Sequence, residues 1–316
     1  MSRPQILQMG PYPAWDQEPL EQMFTMHRLF EAPDRAAFLA QHGAQVRAIA
    51  TRGELGADAA LIAACPRLEV ISVYGVGTDA VDLAAARARG IRVTNTPDVL
   101  TEDVADLGVG MALALSRGMI GAEAWVRDGS WAAQGGYPLQ RRLSGRRAGI
   151  LGLGRIGMAV AQRLAAFGMP IAYSGRAPKA DAPHGWTFLP DAVSLAQQSD
   201  LLVMALSATP ETRHIVDARV LEALGADGML VNISRAANLD EDALLEALEG
   251  GRIAGAALDV FEGEPALNPR FLALRNVVLQ PHHASGTVET RRAMGQLLRD
   301  NLAAHFAGRA LPSEVA

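Results

Sequence analysis

The sequence holds one cysteine, Cys65, so no internal disulfide is available to it. That pattern fits a reducing compartment, and Cys65 reads as a small buried apolar residue. A basic excess is also missing: the formal charge is −5, which argues against sequence-independent binding to nucleic acid, although a local basic pocket remains open. No apolar run approaches the length of a membrane span. The opening Met1-Ser2-Arg3-Pro4 lacks the apolar core of a secretory signal, so a cytoplasmic location is expected. Internal repeats, low-complexity tracts and long polar linkers are absent too. What is present is an ordinary globular composition, 49% hydrophobic and 20% charged, in 316 residues, enough for two domains.

Short apolar runs alternate with amphipathic stretches, the signature of an α/β chain. The first series of strands is expected at Ile6–Met9, Val46–Ala50, Val70–Val73 and Ile91–Thr94. Helical patterns over Pro33–Gln41 and Ala80–Arg89 separate them, and a long helix is expected over Thr101–Arg127. A second series follows at Ala148–Leu151, Ile171–Ser174, Leu201–Leu206, Met229–Ile233, Ala256–Val260 and Val277–Gln280. Six strands with intervening helices match the two mononucleotide-binding halves of a doubly wound sheet. A last helix reads over Val288–Phe306. The pattern places a cofactor domain over 100–285, inserted between 1–99 and 286–316, with hinge candidates at Asn95–Leu100 and Ala284–Thr287.

Gly152-Leu153-Gly154-Arg155-Ile156-Gly157 directly follows the run Ala148–Leu151 and opens a helical pattern. In a strand–turn–helix context the first glycine permits the tight turn. The second lets backbone approach a pyrophosphate, and the third lets helix and strand pack closely. Unpaired N–H groups at the helix start favour an anion. Such turns also arise for packing alone, or in methyltransferases. Three polar segments fall past the ends of three strands in the same series: Asn232-Ile233-Ser234-Arg235, Asp259 through Pro265, and Pro281-His282-His283-Ala284-Ser285. A cation, a carboxylate and an imidazole are thereby directed to the edge where open parallel sheets bind ligands. A methyltransferase would leave them unexplained.

With these motifs on the page, the chain resembles the D-isomer-specific 2-hydroxyacid dehydrogenases, and among them the glyoxylate/hydroxypyruvate and hydroxyphenylpyruvate reductases. The likeness runs from Tyr74-Gly75-Val76-Gly77-Thr78-Asp79, through Val93-Thr94-Asn95-Thr96-Pro97-Asp98-Val99-Leu100-Thr101 and the glycine turn, to Pro281-His282 and Ser285-Gly286-Thr287. It implies two doubly wound parallel-sheet domains, a Rossmann cofactor domain inserted in a smaller flavodoxin-like substrate domain. The family's catalytic Arg, Glu and His match Arg235, Glu264 and His282. Glu264 is selected over Glu262 because a proline follows it, and His282 over His283 because a proline precedes it. His283, His214 and His27 are read as structural or exposed.

The roles follow from chemistry. Reducing a 2-oxo acid requires a hydride on the carbonyl carbon and a proton on its oxygen. Imidazole as a side-chain type exchanges a proton near neutrality, so His282 suits proton donation. A carboxylate on its far nitrogen fixes the tautomer and favours the imidazolium. Arg235 offers a planar fork to the substrate's carboxylate and carbonyl. The loop Tyr74-Gly75-Val76-Gly77 is expected to grip the substrate carboxylate through the N–H groups of Val76 and Gly77, an anion nest in the turn after a strand. Asp79 is read as the cap of the following helix. Closure of a cleft between the domains is expected to complete the site. No metal site is expected.

An NAD-binding unit usually ends its second strand with an acidic residue that holds the ribose 2′-hydroxyl. Here the strand ends Ser174-Gly175-Arg176, with no acid there. A hydroxyl and a guanidinium suit a 2′-phosphate instead, with Lys179 adding longer-range attraction. NADP(H) is therefore expected over NAD(H), and an NAD-dependent dehydrogenase is the alternative. Further cofactor contacts implied by position and resemblance are Leu206 and Ser207 along the adenosine and pyrophosphate side, Thr212 at a phosphate, and Ile233 and Ser234 beside the nicotinamide. Asp259 is expected at the carboxamide, with Thr101, Ser285 and Gly286 nearby. Trp131 and Tyr137 are candidates to cap a neighbouring subunit's pocket, which implies a homodimer through the cofactor domains. The expected substrate is a small 2-oxo acid, hydroxypyruvate or glyoxylate first; an aryl pyruvate or a sugar-derived acid remains open. A different class, a nucleotide-sensing corepressor, is disfavoured because the sequence carries no long basic or disordered stretch and keeps the Arg/Glu/His set.

Overall fold

The computed structural model describes residues 3–315 and divides into two compact units, Met1–Leu100 with Gly286–Ala316, and Thr101–Ser285. In the first unit β1 (Gln5–Gln8), β2 (Thr25–Arg28), β3 (Ala48–Arg52), β4 (Val70–Tyr74) and β5 (Arg92–Thr94) pair in parallel in the order β2-β1-β3-β4-β5. Strands covered by helices on both faces bury both sets of side chains, which is why β4 is buried throughout and β3 up to Thr51, with mostly apolar residues in each. Leu7, Ile49, Ile62, Ile71 and Val93 fill the core. Cys65 lies in it, fully buried, and burial pushes its thiol up to about 11.

β2 was not legible beforehand. Its residues Thr-Met-His-Arg are half-buried on a sheet edge and form no apolar run. Two helices begin later than their patterns suggested. Arg35–His42 starts behind Asp34, which accepts from the N–H groups of Ala36 and Ala37. Leu83–Ala88 is capped by Asp82, which accepts from Ala85 N, so the expectation of Asp79 as the cap is corrected. The cause is tertiary: Ala57 bridges to Val81 and its N–H donates to Ala80 O (3.1 Å), which holds that stretch out of the helix.

The second unit contains β6 (Ala148–Leu151), β7 (Ile171–Ser174), β8 (Thr187–Leu189), β9 (Leu201–Met204), β10 (Met229–Asn232), β11 (Gly255–Leu258) and β12 (Val277–Leu279). They form one parallel sheet in the order β12-β11-β10-β9-β6-β7-β8. Seven strands replace the six expected, because the short edge strand β8 carries too little pattern to be read. β6 is flanked by β9 on one side and β7 on the other, so the winding reverses beside it. The long helix expected over Thr101–Arg127 is two helices, Thr101–Ser116 and Met119–Arg127, bent by 62°. Gly118 makes the break with φ 57°, a left-handed conformation that suits glycine. Among the described residues no single helix is long and apolar enough to cross a membrane.

One buried ion pair ties the first unit together. Asp16, 1% exposed, meets the Arg299 guanidinium from the C-terminal helix Val288–Phe306, and the Tyr74 hydroxyl lies 3.4 Å from its other oxygen. Gly295 allows this approach, since a Cβ there would stand 1.9 Å from the Asp16 carboxylate. Arg299→Ala leaves a carboxylate buried without its partner. Urea denaturation should show a loss of about 3–5 kcal/mol; a loss under about 1 kcal/mol would mean that the pair behaves as a surface one.

Candidate active site

The site is built at the C-terminal edge of the second sheet. After β6 the chain turns at Gly152, whose φ of 97° requires glycine, and a Cβ there would sit 2.8 Å from Leu206. The helix Arg155–Ala166 follows at once. Gly157 packs it onto the strand: a Cβ at this position would lie 2.0 Å from the Gly152 carbonyl oxygen. Gly154 differs, because a Cβ there would point into open space at the helix start. This is a cradle that an added methyl would fill, and it fits a pyrophosphate held by the N–H groups of the first turn. Leu153 is buried beneath the turn, while Arg155 is exposed and Ile156 half-buried.

β7 ends at Ser174, buried at 3% exposure, and passes to exposed Gly175 and Arg176. The Lys179 N–H donates to the Tyr173 hydroxyl (3.0 Å), folding this loop back on its strand. After β9, Leu206 and Ser207 lead into a capping box in which the Thr212 hydroxyl accepts from Thr209 N (2.8 Å) and donates to Ser207 O (2.9 Å). The Thr212 side chain is thus engaged in its own loop, and a phosphate contact would have to displace that bond.

Past β10, Asn232 shapes the turn that carries Ile233, Ser234 and Arg235. Its fully buried amide oxygen accepts from Ser234 N (2.9 Å) and Ser234 Oγ (2.8 Å), and its Nδ2 donates to Arg235 O (3.3 Å). The Arg235 guanidinium donates to Ser234 O (2.8 Å). The sequence reading passed over Asn232; a polar residue closing an otherwise apolar strand was the available signal.

The next two strand ends meet. Glu264 Oε2 lies 2.7 Å from His282 Nδ1, and Glu264 Oε1 accepts from Phe261 N (2.7 Å). Burial acts to raise the Glu264 carboxyl. The His282 hydrogen bond, the Phe261 N–H and the nearby charges of His282 and Arg235 more than offset it, so the group sits below its usual value. An ionised Glu264 makes Nδ1 the protonated nitrogen and leaves Nε2 to exchange a proton with a ligand. His282 holds φ 49°, a left-handed conformation uncommon outside glycine. Asp259, 1% exposed, stabilises it by accepting from His283 N and Ala284 N, each at 2.9 Å. Burial drives the Asp259 carboxyl above its usual value despite these bonds. Both of its oxygens face the loop bearing His282, a role not anticipated for it. Glu241 was also missed. It is buried, its carboxyl raised chiefly by that burial, and it accepts from Glu262 N (2.8 Å), anchoring the segment that carries Glu264. A cavity of about 270 Å³, walled by Phe261, Pro265, Leu267 and Leu272, opens against the pair.

The other histidines do not join this cluster. His27 Nε2 lies 2.7 Å from Gln5 Oε1, His214 faces Glu262 at 3.6 Å, and His283 is exposed. In the first unit, Gly75 N–H is committed to Val73 O (3.1 Å) and Thr96 Oγ1 (3.0 Å), and Asn95 Nδ2 holds Val76 O (2.8 Å). The Tyr74 hydroxyl donates to Arg291 O (2.7 Å). Among the described residues no group of three or more His, Cys, Asp or Glu is placed to hold a metal ion.

A parallel sheet with a glycine turn at its reversal and an Arg, a Glu–His pair and a buried Asp along the same edge defines a dinucleotide-dependent oxidoreductase. The chain belongs to the D-isomer-specific 2-hydroxyacid dehydrogenase family: the model of that family's NAD binding domain matches residues 109–284. It is 47% identical over 310 residues to a glyoxylate/hydroxypyruvate reductase A of Arabidopsis thaliana, covering 98% of each chain. Among solved structures it is similar to a 2-hydroxyacid dehydrogenase from Ketogulonicigenium vulgare Y25, with a TM-score of 0.93, 69% identity and coverage of 100% and 99%. It is also similar to an NADPH-dependent glyoxylate/hydroxypyruvate reductase from Sinorhizobium meliloti in complex with NADP and malonate, with a TM-score of 0.94, 45% identity and coverage of 100% and 97%.

The two glycines predict opposite behaviour. Gly154→Ala should leave the thermal midpoint of the free protein within a few degrees, because it meets no atom, yet weaken NADPH binding at least about tenfold by occupying the cradle. Gly157→Ala should lower the midpoint outright, since its methyl meets backbone. Melting curves and cofactor titration check both.

Proposed function

We propose that this chain reduces a small 2-oxo acid of the hydroxypyruvate or glyoxylate class to the D-2-hydroxy acid, using NADPH, with His282 as proton donor. The observation that carries the reading is the 2.7 Å contact between His282 Nδ1 and Glu264 on the sheet edge that also bears the glycine turn. Bound NADPH supplies the hydride. His282 Nε2 delivers the proton to the carbonyl oxygen as that oxygen gains charge, and Glu264 stabilises the imidazolium beforehand and fixes its tautomer. Arg235 aligns the carboxylate and carbonyl through its fork and offsets the developing charge. The N–H groups of Val76 and Gly77 bind the substrate carboxylate; Gly75, already engaged, does not contribute its own. The names of the Arabidopsis and Sinorhizobium relatives support the substrate class.

The cofactor contacts follow the same frame. Leu153, Gly154, Arg155 and Ile156 cradle the pyrophosphate, and Leu206 and Ser207 wall it. Ile233, Ser234, Thr101, Ser285 and Gly286 lie on the nicotinamide side. Asp259 contributes chiefly by holding the His282 loop. NADP(H) is preferred because no carboxylate stands after β7 to repel a 2′-phosphate, while Arg176 is exposed there to pair with one. A homodimer through this unit is supported by exposed apolar side chains at Ile120 (60%), Trp131 (61%) and Leu139 (100%). Trp131 is the exposed candidate to reach a neighbouring subunit. Tyr137 instead packs edge-on against Trp125 at 5.8 Å. A cytoplasmic location goes with this reading.

His282→Ala should lower kcat by about 10²–10⁴-fold while NADPH binding persists. Rates of NADPH oxidation with glyoxylate and hydroxypyruvate measure this, and near wild-type turnover would remove the proton donor. Arg176→Ala should raise KM for NADPH with little change for NADH; equal losses with both nicotinamides would reject its contact with a 2′-phosphate.

A further inference from the structure

We infer that the first unit carries a subsite for a second acidic group on the substrate, so that a 2-oxo acid with an anionic tail is used in preference to its uncharged counterpart. This rests on the 2-oxo acid reading above and adds the substrate class to it.

An open cavity of about 290 Å³ lies within this unit. It stands over the ends of β1, β3 and β4, at the point between β1 and β3 where the strand order reverses. Ligands dock at such points on open parallel sheets. Pro11, Tyr12, Pro13 and Trp15 wall it, with the Tyr12 and Tyr74 rings 5.3 Å apart. Two arginines line it, Arg52 from the end of β3 and Arg291 from the C-terminal helix, and among the described residues its lining holds no carboxylate.

The hydroxyl groups of the lining are already engaged. Tyr12 donates to Thr51 O (3.2 Å), Tyr74 donates to Arg291 O (2.7 Å), and the Thr287 hydroxyl caps the helix by accepting from Thr290 N (3.1 Å). Burial raises both phenols above their usual range, so neither adds negative charge near neutrality. Exposed Glu54 contacts Arg52 at Nε (2.7 Å), but a guanidinium carries five N–H donors in all. Arg291 lies over the Tyr74 ring, 5.9 Å from its centroid, which restricts its freedom. The cavity therefore presents donors and positive charge over an apolar, aromatic body. A carboxylate on a short carbon stem matches this pairing of arginines with an apolar wall. Tyr74 is directly followed by Gly75, Val76 and Gly77, so the cavity adjoins the loop proposed to hold the substrate carboxylate.

The test compares 2-oxoglutarate with 2-oxopentanoate, which share a carbon count and differ in the terminal carboxylate. The full-length enzyme should show a kcat/KM ratio favouring 2-oxoglutarate by about tenfold or more. Arg52→Gln and Arg291→Gln should each cut that ratio by at least about fivefold, and a fall in either supports the subsite. Arg52 is half-exposed at a strand end, so its variant stays folded even where the Arg291 variant does not. Glyoxylate, which has no tail, separates the two claims. Glyoxylate reduction with a wild-type ratio at or below one, or with a ratio unchanged in the folded variants, overturns the subsite alone. A wild-type enzyme that reduces none of the three acids overturns the reading above and this inference with it.

Discussion

The chemistry proposed for the second unit depends on one hydrogen bond, between His282 Nδ1 and Glu264 Oε2. It decides which imidazole nitrogen is left to meet a ligand. Neither residue sits in regular structure; both lie on loops past strand ends, where backbone freedom would cost alignment. The fold answers with buried carboxylates. Asp259 takes the two N–H groups after His282 and sustains a left-handed residue there, and Glu241 takes the N–H of Glu262. Such groups are costly to bury unless bonded, and here each bond fixes a loop that bears Glu264 or His282.

The same edge is shaped by what is small or missing. Gly157 lets helix and strand approach to a distance that no side chain tolerates, while Gly154 leaves space that nothing in the chain occupies. Steric demand explains the first glycine without any ligand; the second has no packing reason and is explained by what docks there. The missing acid after β7 belongs to the same logic in the NADP(H) preference proposed above, since a carboxylate there would repel a 2′-phosphate. Family membership agrees with this frame, and relatives with closely similar folds use the same class of reaction.

The first unit repeats the architecture on a smaller sheet, again with a cavity where the strand order reverses. Its charge differs: arginines and aromatic rings line it, with Arg291 over the Tyr74 ring, and among the described residues the lining holds no carboxylate. The buried Asp16–Arg299 pair lies below, joining two helices distant in sequence. One sheet edge is thus organised around an imidazole–carboxylate pair and the other around cations, a division of roles that suits a substrate with acidic groups.

Sequence by itself determined the α/β class, the positions of most strands and the glycine turn, because buried parallel strands and tight turns obey local rules. The helix Val288–Phe306 was legible to its ends for the same reason. The family resemblance singled out Arg235, Glu264 and His282, of which folding brings the last two to 2.7 Å. The tertiary structure alone decided the rest. Edge strands β2 and β8 lack an apolar run because a sheet edge buries only part of each residue. The start of the helix at Asp82 depends on a bridge to Ala57, and the break at Gly118 on a backbone angle that glycine permits but does not demand. Asn232, Asp259 and Glu241 took their positioning roles from backbone N–H groups brought near by folding, and no spacing in a linear chain encodes which N–H a buried oxygen will face.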